Sequence, residues 1–269
     1  MLTLFDGTTS VCAIKVRLAL HEKRVDFDSH NIDLRAGDQF DPDYLKLNPN
    51  AVIPTLVDAC DGDENIITES SVILQYLEEI CPEPSLLPEE PIDRARMRLW
   101  MKMVDDLVHP SIGNLTHATV YRPAFLALDE DGRSARLAKI PNEMRRQRFA
   151  EVYKDGLDAP IVVGAVKQLN KLVIEMEAAL ADSEFLAGPV YSLAEYAITP
   201  VRQPALRFIP IGTLENFRAA DLYCFALMLK GDQFVIAINP GIQQTATGKD
   251  LHSFLAEGCL QRQGGVLIE

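Results

Sequence analysis

Four prolines fall within the eleven residues Cys81–Pro91, and a run of this kind breaks both helices and strands. Before it, short apolar runs alternate with helical patterns. After it, the apolar residues recur at helical spacing over long stretches. The sequence therefore predicts two domains, with residues 1–82 as a mixed α/β domain, 83–92 as a linker and 93–269 as an all-helical domain.

The start of the first domain has the pattern of a β-α-β unit. Leu2–Phe5 is typical of a strand, Ser10–Glu22 of a helix with Val11, Ile14 and Leu18 on one face, and Val25–Asp28 of a second strand. Such strands are expected to be parallel, joined by a right-handed crossover.

The rest of this domain predicts a hairpin and a helix. Ile53–Val57 and Asn65–Ile67 are the expected hairpin strands, with Asp58–Glu64 as the turn. That turn lacks the alternation and distal glutamate of a calcium loop, so we expect no metal there. Thr68–Ile80 is the expected helix, with capping oxygens supplied by Thr68, Ser70 and Ser71.

Helices dominate the predictions for the second domain. The expected helices are Asp93–Val108, which Pro110 should end, Ala159–Ala181 and Arg218–Lys230. Ser192 and Glu195 fit a capping box, with Tyr191 and Tyr196 at the positions of a hydrophobic staple. The last thirty residues give no clear pattern.

Composition narrows the class of protein. The net charge is −13, which repels nucleic acids and anionic membranes, so we expect neither as a partner. The five cysteines are odd in number and include no C-x-x-C pair, which argues against a disulfide framework or a zinc site. No secretory signal or membrane-length apolar run is recognisable, so a cytoplasmic protein is expected.

Four motifs, in this order, resemble the glutathione S-transferase superfamily. They are "SVCAIKVRLAL" after the first strand, "NPNAVIPTLV" at Asn48–Val57, "IITESSVILQYLEE" at Ile66–Glu79 and "FLAGPVYSLAEYAITP" at Phe185–Pro200. The last usually carries Asp where this chain has Glu195. The resemblance implies a thioredoxin-like N-terminal domain, an all-helical C-terminal domain with a hydrophobic substrate pocket, glutathione as cosubstrate, and a homodimer.

The resemblance also implies residues that hold glutathione. Ile53-Pro54 resembles the family's cis-proline turn, in which the Ile53 backbone pairs with the cysteinyl unit as an added strand would. Glu69 and Ser70 would hold the γ-glutamyl ammonium and carboxylate. An ordinary edge-strand proline and simple helix capping are the alternatives. Gln39 and Lys46 are candidates for the carboxylate at the other end of glutathione.

Ser10 and Cys12 are the expected catalytic residues. Ser10 aligns with the hydroxyl that, in serine-type transferases, donates a hydrogen bond to the glutathione thiolate, and the helix N-terminus favours the same charge. Its alternative role is an N-cap. Cys12 lies in the first turn, where a thiolate would be stabilised, and would form a mixed disulfide as in zeta-type enzymes and hydroquinone reductive dehalogenases. Its alternative role is a packed thiol.

Departures from the zeta pattern leave the reaction open. "SVCA" replaces "SSCS", and Val52 replaces a glutamine. Extra length falls in Ile112–Pro160, as in β-aryl ether cleaving enzymes, and Phe125, Leu126 and Phe149 there either line a substrate site or pack the insertion. Asp105 either reaches the γ-glutamyl group of a partner subunit or lies solvated on its helix.

Three hypotheses follow from these residues. The first is a glutathione transferase that uses Ser10 against a bulky hydrophobic, aromatic electrophile, aryl ethers included. The second is a zeta-like isomerase or reductive dehalogenase that depends on Cys12. The third is a non-catalytic binding module of the same fold.

Overall fold

A four-stranded sheet forms the centre of the N-terminal domain in the computed structural model, which describes residues 1–7, 10–60 and 63–198 and two short strands beyond them. Its strands are β1 (Leu2–Asp6), β2 (Phe27–Asn31), β3 (Thr55–Cys60) and β4 (Asp63–Thr68), in the order β2-β1-β3-β4. β1 pairs parallel with β2 and antiparallel with β3, and β3 pairs antiparallel with β4. The predicted β-α-β unit and hairpin are confirmed.

Three helices complete this domain: α1 (Val11–Glu22), α2 (Pro42–Leu47) and α3 (Ser70–Ile80). A 3₁₀ turn, Asp38–Phe40, leads into α2. Two predicted boundaries were wrong. The second strand begins at Phe27 instead of Val25, and Asp58–Glu64 is mostly strand because the hairpin extends to Cys60 and resumes at Asp63.

The buried face of α1 also differs from the prediction. Leu18 was expected inside, yet it is 39% exposed, and Ala13, Val16 and Ala19 are fully buried. α1 packs against α3. Leu20 is fully buried as well, and with Ala13, Val16 and Ala19 it recurs at helical spacing, so this face, and not the one that carries Leu18, packs inward.

The proline-rich linker is tied to both domains. Lys23 Nζ lies 2.7 Å from a Glu78 carboxylate oxygen, with both side chains buried, and donates to the carbonyls of Cys81 and Pro84. Leu86 is buried. Its N–H donates to Glu78, and its carbonyl accepts from the Leu193 N–H.

The C-terminal part up to residue 198 is helical. The helices are α4 (Pro91–Met103), α5 (His109–Thr116), α6 (Arg122–Leu126), α7 (Glu130–Ala138), α8 (Glu143–Asp155) and α9 (Pro160–Ala181), and residues 193–198 are also helical. A 3₁₀ turn, Gly156–Asp158, joins α8 to α9. α5 packs against α9.

Pro110 does not end a helix, contrary to the prediction. A π-helical turn, Val104–Val108, joins α4 to α5, and a second, His117–Tyr121, joins α5 to α6. Pro110 and Pro123 each fall in the first turn of the helix that follows. The widened turn before each proline accommodates its ring and missing N–H, so the chain stays helical from Pro91 to Leu126.

The capping box is confirmed. A Glu195 carboxylate oxygen accepts from the Ser192 N–H at 2.9 Å, and the other accepts from the Leu186 N–H at 2.8 Å. The Tyr191 and Tyr196 rings meet edge to face, 5.4 Å apart. By contrast, α3 has no side-chain cap, and Thr68 ends β4, so capping oxygens were wrongly predicted there.

Arg202–Glu269 forms a separate compact unit. The structure describes in it two antiparallel strands, β5 (Ala226–Met228) and β6 (Phe234–Ile236). The helix expected over Arg218–Lys230 is therefore wrong at Ala226–Met228, where an apolar segment pairs with the β-branched run of β6. The other residues of that range and the final thirty residues lie outside the described part of the chain. No described helix is long and apolar enough to cross a membrane.

Candidate active site

Ser10 is the N-cap of α1. Its backbone is extended, and its Oγ accepts the Ala13 N–H at 3.2 Å. The side chain is nearly buried, at 9% exposure. Accepting this bond leaves the hydroxyl proton available, and no described residue accepts it. Capping and donation to a bound thiolate are therefore compatible roles for one oxygen.

The Ile53-Pro54 peptide bond is cis, as predicted. Asn48 Nδ2 and the Tyr44 hydroxyl both donate to the Val52 carbonyl, at 2.9 and 2.6 Å, which fixes the loop before the bond. The sheet ladder begins only at Thr55. Ile53 therefore lies outside the ladder, and its backbone groups have no hydrogen bond to the described residues.

Glu69 has a left-handed backbone, with φ 67° and ψ 114°, directly before α3. That conformation is costly for a residue with a side chain and is usually held for a reason. Glu69 makes no capping hydrogen bond, so simple capping does not explain it. Ser70, the first residue of α3, is buried beside Cys12.

Cys12 is the centre of a polar cluster where α1 and α3 meet α5 and the π-helical turn Val104–Val108. Its Sγ lies 3.6 Å from His109 Nδ1 and is close to the Ser70 hydroxyl. Asp105 links the other members, with its Oδ1 3.5 Å from both Lys15 Nζ and His109 Nδ1. Lys15 is completely buried, whereas Asp105 is 39% exposed.

Burial dominates the electrostatics of this cluster. It raises the pKa of the Cys12 thiol, although the Lys15 charge and the Ser70 hydrogen bond act to lower it. Burial also lowers the pKa of Lys15, and burial with the Lys15 charge lowers the pKa of His109 to about 3. The first-turn position was expected to stabilise a Cys12 thiolate, and desolvation outweighs that effect. His109 is therefore neutral and can accept a hydrogen bond from the thiol, but it is too weak a base to take the thiol proton.

Sequence reasoning missed Lys15 and His109 as members of this site. Lys15 was part of the quoted motif, but nothing local predicts burial of a lysine. The i, i+4 spacing of Asp105 and His109 on one helix was a usable signal. Asp105 was considered as a contact to a partner subunit, and the structure pairs it with Lys15 and His109 of its own chain.

Gln39 and Lys46, the residues expected to bind the carboxylate at the other end of glutathione, do not form a cluster of this kind. Lys46 is exposed on α2 and forms an ion pair with Asp43 at 2.6 Å. Gln39 lies in the 3₁₀ turn, with its Oε1 buried and without a hydrogen-bond partner in the described part of the chain. The structure thus brings together Ser10, Cys12, Glu69 and Ser70 more closely than these two.

An open cavity of about 640 Å³ lies between β1, β2 and the Ala36–Leu47 segment. Its lining includes Phe5, Phe40 and Tyr44 and none of the predicted site residues. Phe125 and Phe149, considered as possible substrate contacts, are instead buried in the packing of the insertion, in a cluster with Ile140 and Tyr153.

A cis-proline loop and a strained α3 N-terminus, facing a helical domain, define the class of thioredoxin-like transferases. A family model described as "Glutathione S-transferase, N-terminal domain" matches residues 9–80. The chain is 31% identical over 202 residues to tetrachloro-p-hydroquinone reductive dehalogenase of Sphingobium chlorophenolicum, covering 72% of this chain and 78% of the relative. The chain therefore belongs to the glutathione S-transferase family, enzymes with glutathione as cosubstrate.

Two further comparisons agree with this assignment. Glutathione S-transferase Z1 of Arabidopsis thaliana is 44% identical over 109 residues, which cover 40% of this chain and 48% of the relative. The crystal structure of the β-etherase LigF from Sphingobium sp. strain SYK-6 superposes with a TM-score of 0.67 at 24% identity, covering 74% of this chain and 82% of that one. The latter comparison establishes the fold, with its thioredoxin-like and helical parts.

Proposed function

We propose that this enzyme activates the thiol of glutathione through Ser10 and directs the thiolate at a bulky hydrophobic aromatic electrophile, aryl ethers included. The observation that carries the proposal is the Ser10 hydroxyl, which is nearly buried at the N-terminus of α1 and has an unused proton. A hydrogen bond from that hydroxyl and the positive helix end both favour the ionised sulfur.

The surrounding residues would hold the tripeptide. The free backbone groups of Ile53 would pair with the cysteinyl unit, and Pro54 keeps that loop out of the ladder. Ser70 and the N-terminus of α3 would bind the γ-glutamyl carboxylate, and Glu69 its ammonium group. The thiolate then attacks the electrophilic carbon, a carbon–sulfur bond forms, and the ether oxygen or halide leaves with the bonding electrons.

The relatives support an aromatic electrophile. One is named a hydroquinone reductive dehalogenase and another a β-etherase, and both names describe reactions at ring-bearing or ether-bearing substrates. The match to the dehalogenase spans most of both chains.

A second route through Cys12 is favoured by the Lys15 charge and the Ser70 hydrogen bond, which both act to lower the pKa of the Cys12 thiol. In this route the Cys12 thiol gives its proton to solvent, the Lys15 charge favours the resulting thiolate, and the Cys12 sulfur attacks the sulfur of an aryl-glutathione conjugate. The carbon–sulfur bond breaks, the ring carbon gains a proton, and a Cys12–glutathione disulfide forms. A second glutathione, as the reductant, releases oxidised glutathione and restores the thiol.

The ultraviolet difference spectrum of bound glutathione against pH tests both routes. In the wild type we expect a thiolate signal near neutral pH that weakens in Ser10→Ala and persists in Cys12→Ala. A signal that is unchanged in Ser10→Ala would overturn the role of Ser10. Full dehalogenating turnover by Cys12→Ser would remove the second route.

We also propose a cytoplasmic homodimer. Ile92 and Leu99 lie seven residues apart on one face of α4 and are 59% and 66% exposed, an apolar surface that a partner subunit would cover. Cys12 and Cys81 are free thiols, which a reducing compartment preserves.

A further inference from the structure

Arg136, Arg145 and Arg148 form a cationic group on α7 and α8 that lacks acidic partners. None of the three forms an ion pair with a carboxylate in the described part of the chain. The Nε atoms of Arg145 and Arg148 are buried and have no described hydrogen-bond partner. Many other lysines and arginines of the described residues also lack a carboxylate, so what distinguishes this group is that two buried, unpartnered Nε atoms lie in one cluster of cations.

These arginines are close enough to influence one another and their neighbours. Burial and the Arg148 charge lower the pKa of Arg145. Burial and all three arginine charges lower the pKa of His117 to about 3, which keeps that ring neutral. Like charges held together in a partly desolvated place are costly unless an anion neutralises them.

Flat aromatic rings accompany the arginines. The His117 ring stacks on Phe149 with centroids 3.6 Å apart, and its Nδ1 is hydrogen-bonded to the Tyr153 hydroxyl at 2.6 Å. The Arg148 guanidinium lies over the Phe149 ring, 5.2 Å from its centroid. Tyr121, next to His117, is half-buried. Phe149 and Tyr153 are buried, so the rings form a rigid base beneath the guanidinium groups, and donors held in place in this way suit a carboxylate.

The group lies beside the proposed glutathione site. Arg145 Nη2 donates to the Asn50 carbonyl at 2.9 Å, three residues before the cis bond at Ile53-Pro54. His109, which touches Cys12, precedes His117 by eight residues on the same helical run. At about 1.5 Å per residue that is a rise of about 12 Å.

We infer that Arg145 and Arg148, with Arg136, bind a carboxylate on the aromatic electrophile, at the end remote from the carbon that glutathione attacks. The inference rests on the proposed function and specifies its substrate class as a carboxylated aromatic of about two ring lengths. A carboxylate accepts two hydrogen bonds from one guanidinium, which fixes the orientation of the ring as well as its charge.

Two matched conjugates test the inference by binding alone. They are S-(4-phenylbenzyl)glutathione and the same conjugate with a carboxylate at the far ring, so the glutathione part is constant. Calorimetry on the full chain should show the carboxylated conjugate binding at least about tenfold more tightly, because charge-assisted hydrogen bonds are among the strong ones. We expect Arg145→Gln and Arg148→Gln each to reduce this preference to less than about threefold.

Arg146→Gln is the matched control. It removes the same charge from the same helix, and the Arg146 side chain has no hydrogen bond or ion pair within the described residues. The preference should survive in this variant. Equal binding of both conjugates to the wild type, or a preference that survives in Arg145→Gln and Arg148→Gln, would overturn the inference and leave the proposed function intact.

The carboxylate of the glycyl end of glutathione is the other source of the same chemistry. Conjugates with that end amidated separate the two. If amidation removes the dependence on Arg148, the arginines bind glutathione and the inference is wrong. If neither conjugate nor glutathione itself binds, the proposed function fails first, and the inference fails with it.

Discussion

Lys15 is a fully buried cation next to the Cys12 thiol. Its charge acts to lower the pKa of Cys12 against the larger effect of burial. Its partner Asp105 is 39% exposed, so water continues to solvate the carboxylate if the ammonium is removed. Lys15 is thus placed to adjust thiol reactivity at a small cost in stability.

We expect Lys15→Met to raise the pKa of Cys12 further. Alkylation of Cys12 by iodoacetamide at neutral pH should slow by about three- to tenfold, the effect of losing one nearby charge. Mass spectrometry of the Cys12 peptide measures this rate without interference from other thiols. Lys102→Met, which removes an exposed lysine paired with Asp106, is the control and should leave the rate unchanged.

At the scale of elements, the outcome of prediction depended on the range of the interactions. The β-α-β unit, the hairpin and the capping box around Ser192 and Glu195 follow from neighbours in the sequence, and all three were predicted. The helical run through Pro110 was not, because a proline usually ends a helix, and apolar spacing does not reveal the π-helical turn that accommodates Pro110 here. The strand at Ala226–Met228 was missed for a similar reason, since its stability depends on a partner strand.

Site residues that belong to local motifs were predicted, and those joined by contacts between distant parts of the chain were not. Ser10, Ile53-Pro54 and Glu69-Ser70 were found because motifs carry them. His109 was missed because its contact with Cys12 joins residues 97 positions apart. The run of Arg145, Arg146 and Arg148 is visible in the sequence, but only the structure shows that Arg145 reaches the Asn50 carbonyl.

The capping box makes a quantitative prediction for one element. Glu195 is completely buried and accepts from the Leu186 N–H, the Ser192 N–H and the Ser192 hydroxyl. Glu195→Ala leaves these donors unpaired, and we expect a loss of about 3 kcal/mol in the free energy of unfolding. Denaturant titration measures it. The exposed Glu151→Ala should change it by less than about 0.5 kcal/mol, and equal losses in both variants would contradict the assignment.

Assembly is a property of the whole molecule. If the apolar face of α4 forms the dimer interface, Leu99→Glu places two charges opposite each other across a symmetric contact and should shift the protein to monomers. Sedimentation velocity at tens of micromolar measures the change. Leu126→Glu, at an exposed position on α6, should leave the dimer intact. A wild type that sediments as a monomer would exclude the homodimer.

The response of the whole molecule to acid follows from two buried histidines. Burial holds the pKa values of His109 and His117 at about 3 in the folded protein, whereas an unfolded histidine has the ordinary value of 6.5. As pH falls from 6.5 towards 3, the unfolded chain takes up protons at these sites and the folded protein does not. Stability is therefore fully present above pH 6.5 and is lost progressively down to about pH 3.

His117→Phe isolates this effect, because it keeps the stack on Phe149 and removes the titrating ring. At pH 8 we expect a loss of about 1 kcal/mol from the missing hydrogen bond to Tyr153. Between pH 6.5 and 4.5 the melting temperature of this variant should fall less steeply than that of the wild type. Replacement of the exposed Val120 by Phe, in the same π-helical turn, should leave the slope unchanged. Parallel curves for wild type and His117→Phe would show that His117 takes up its proton over the same pH range in the folded and unfolded protein, and the neutral ring in the arginine group would then be wrong.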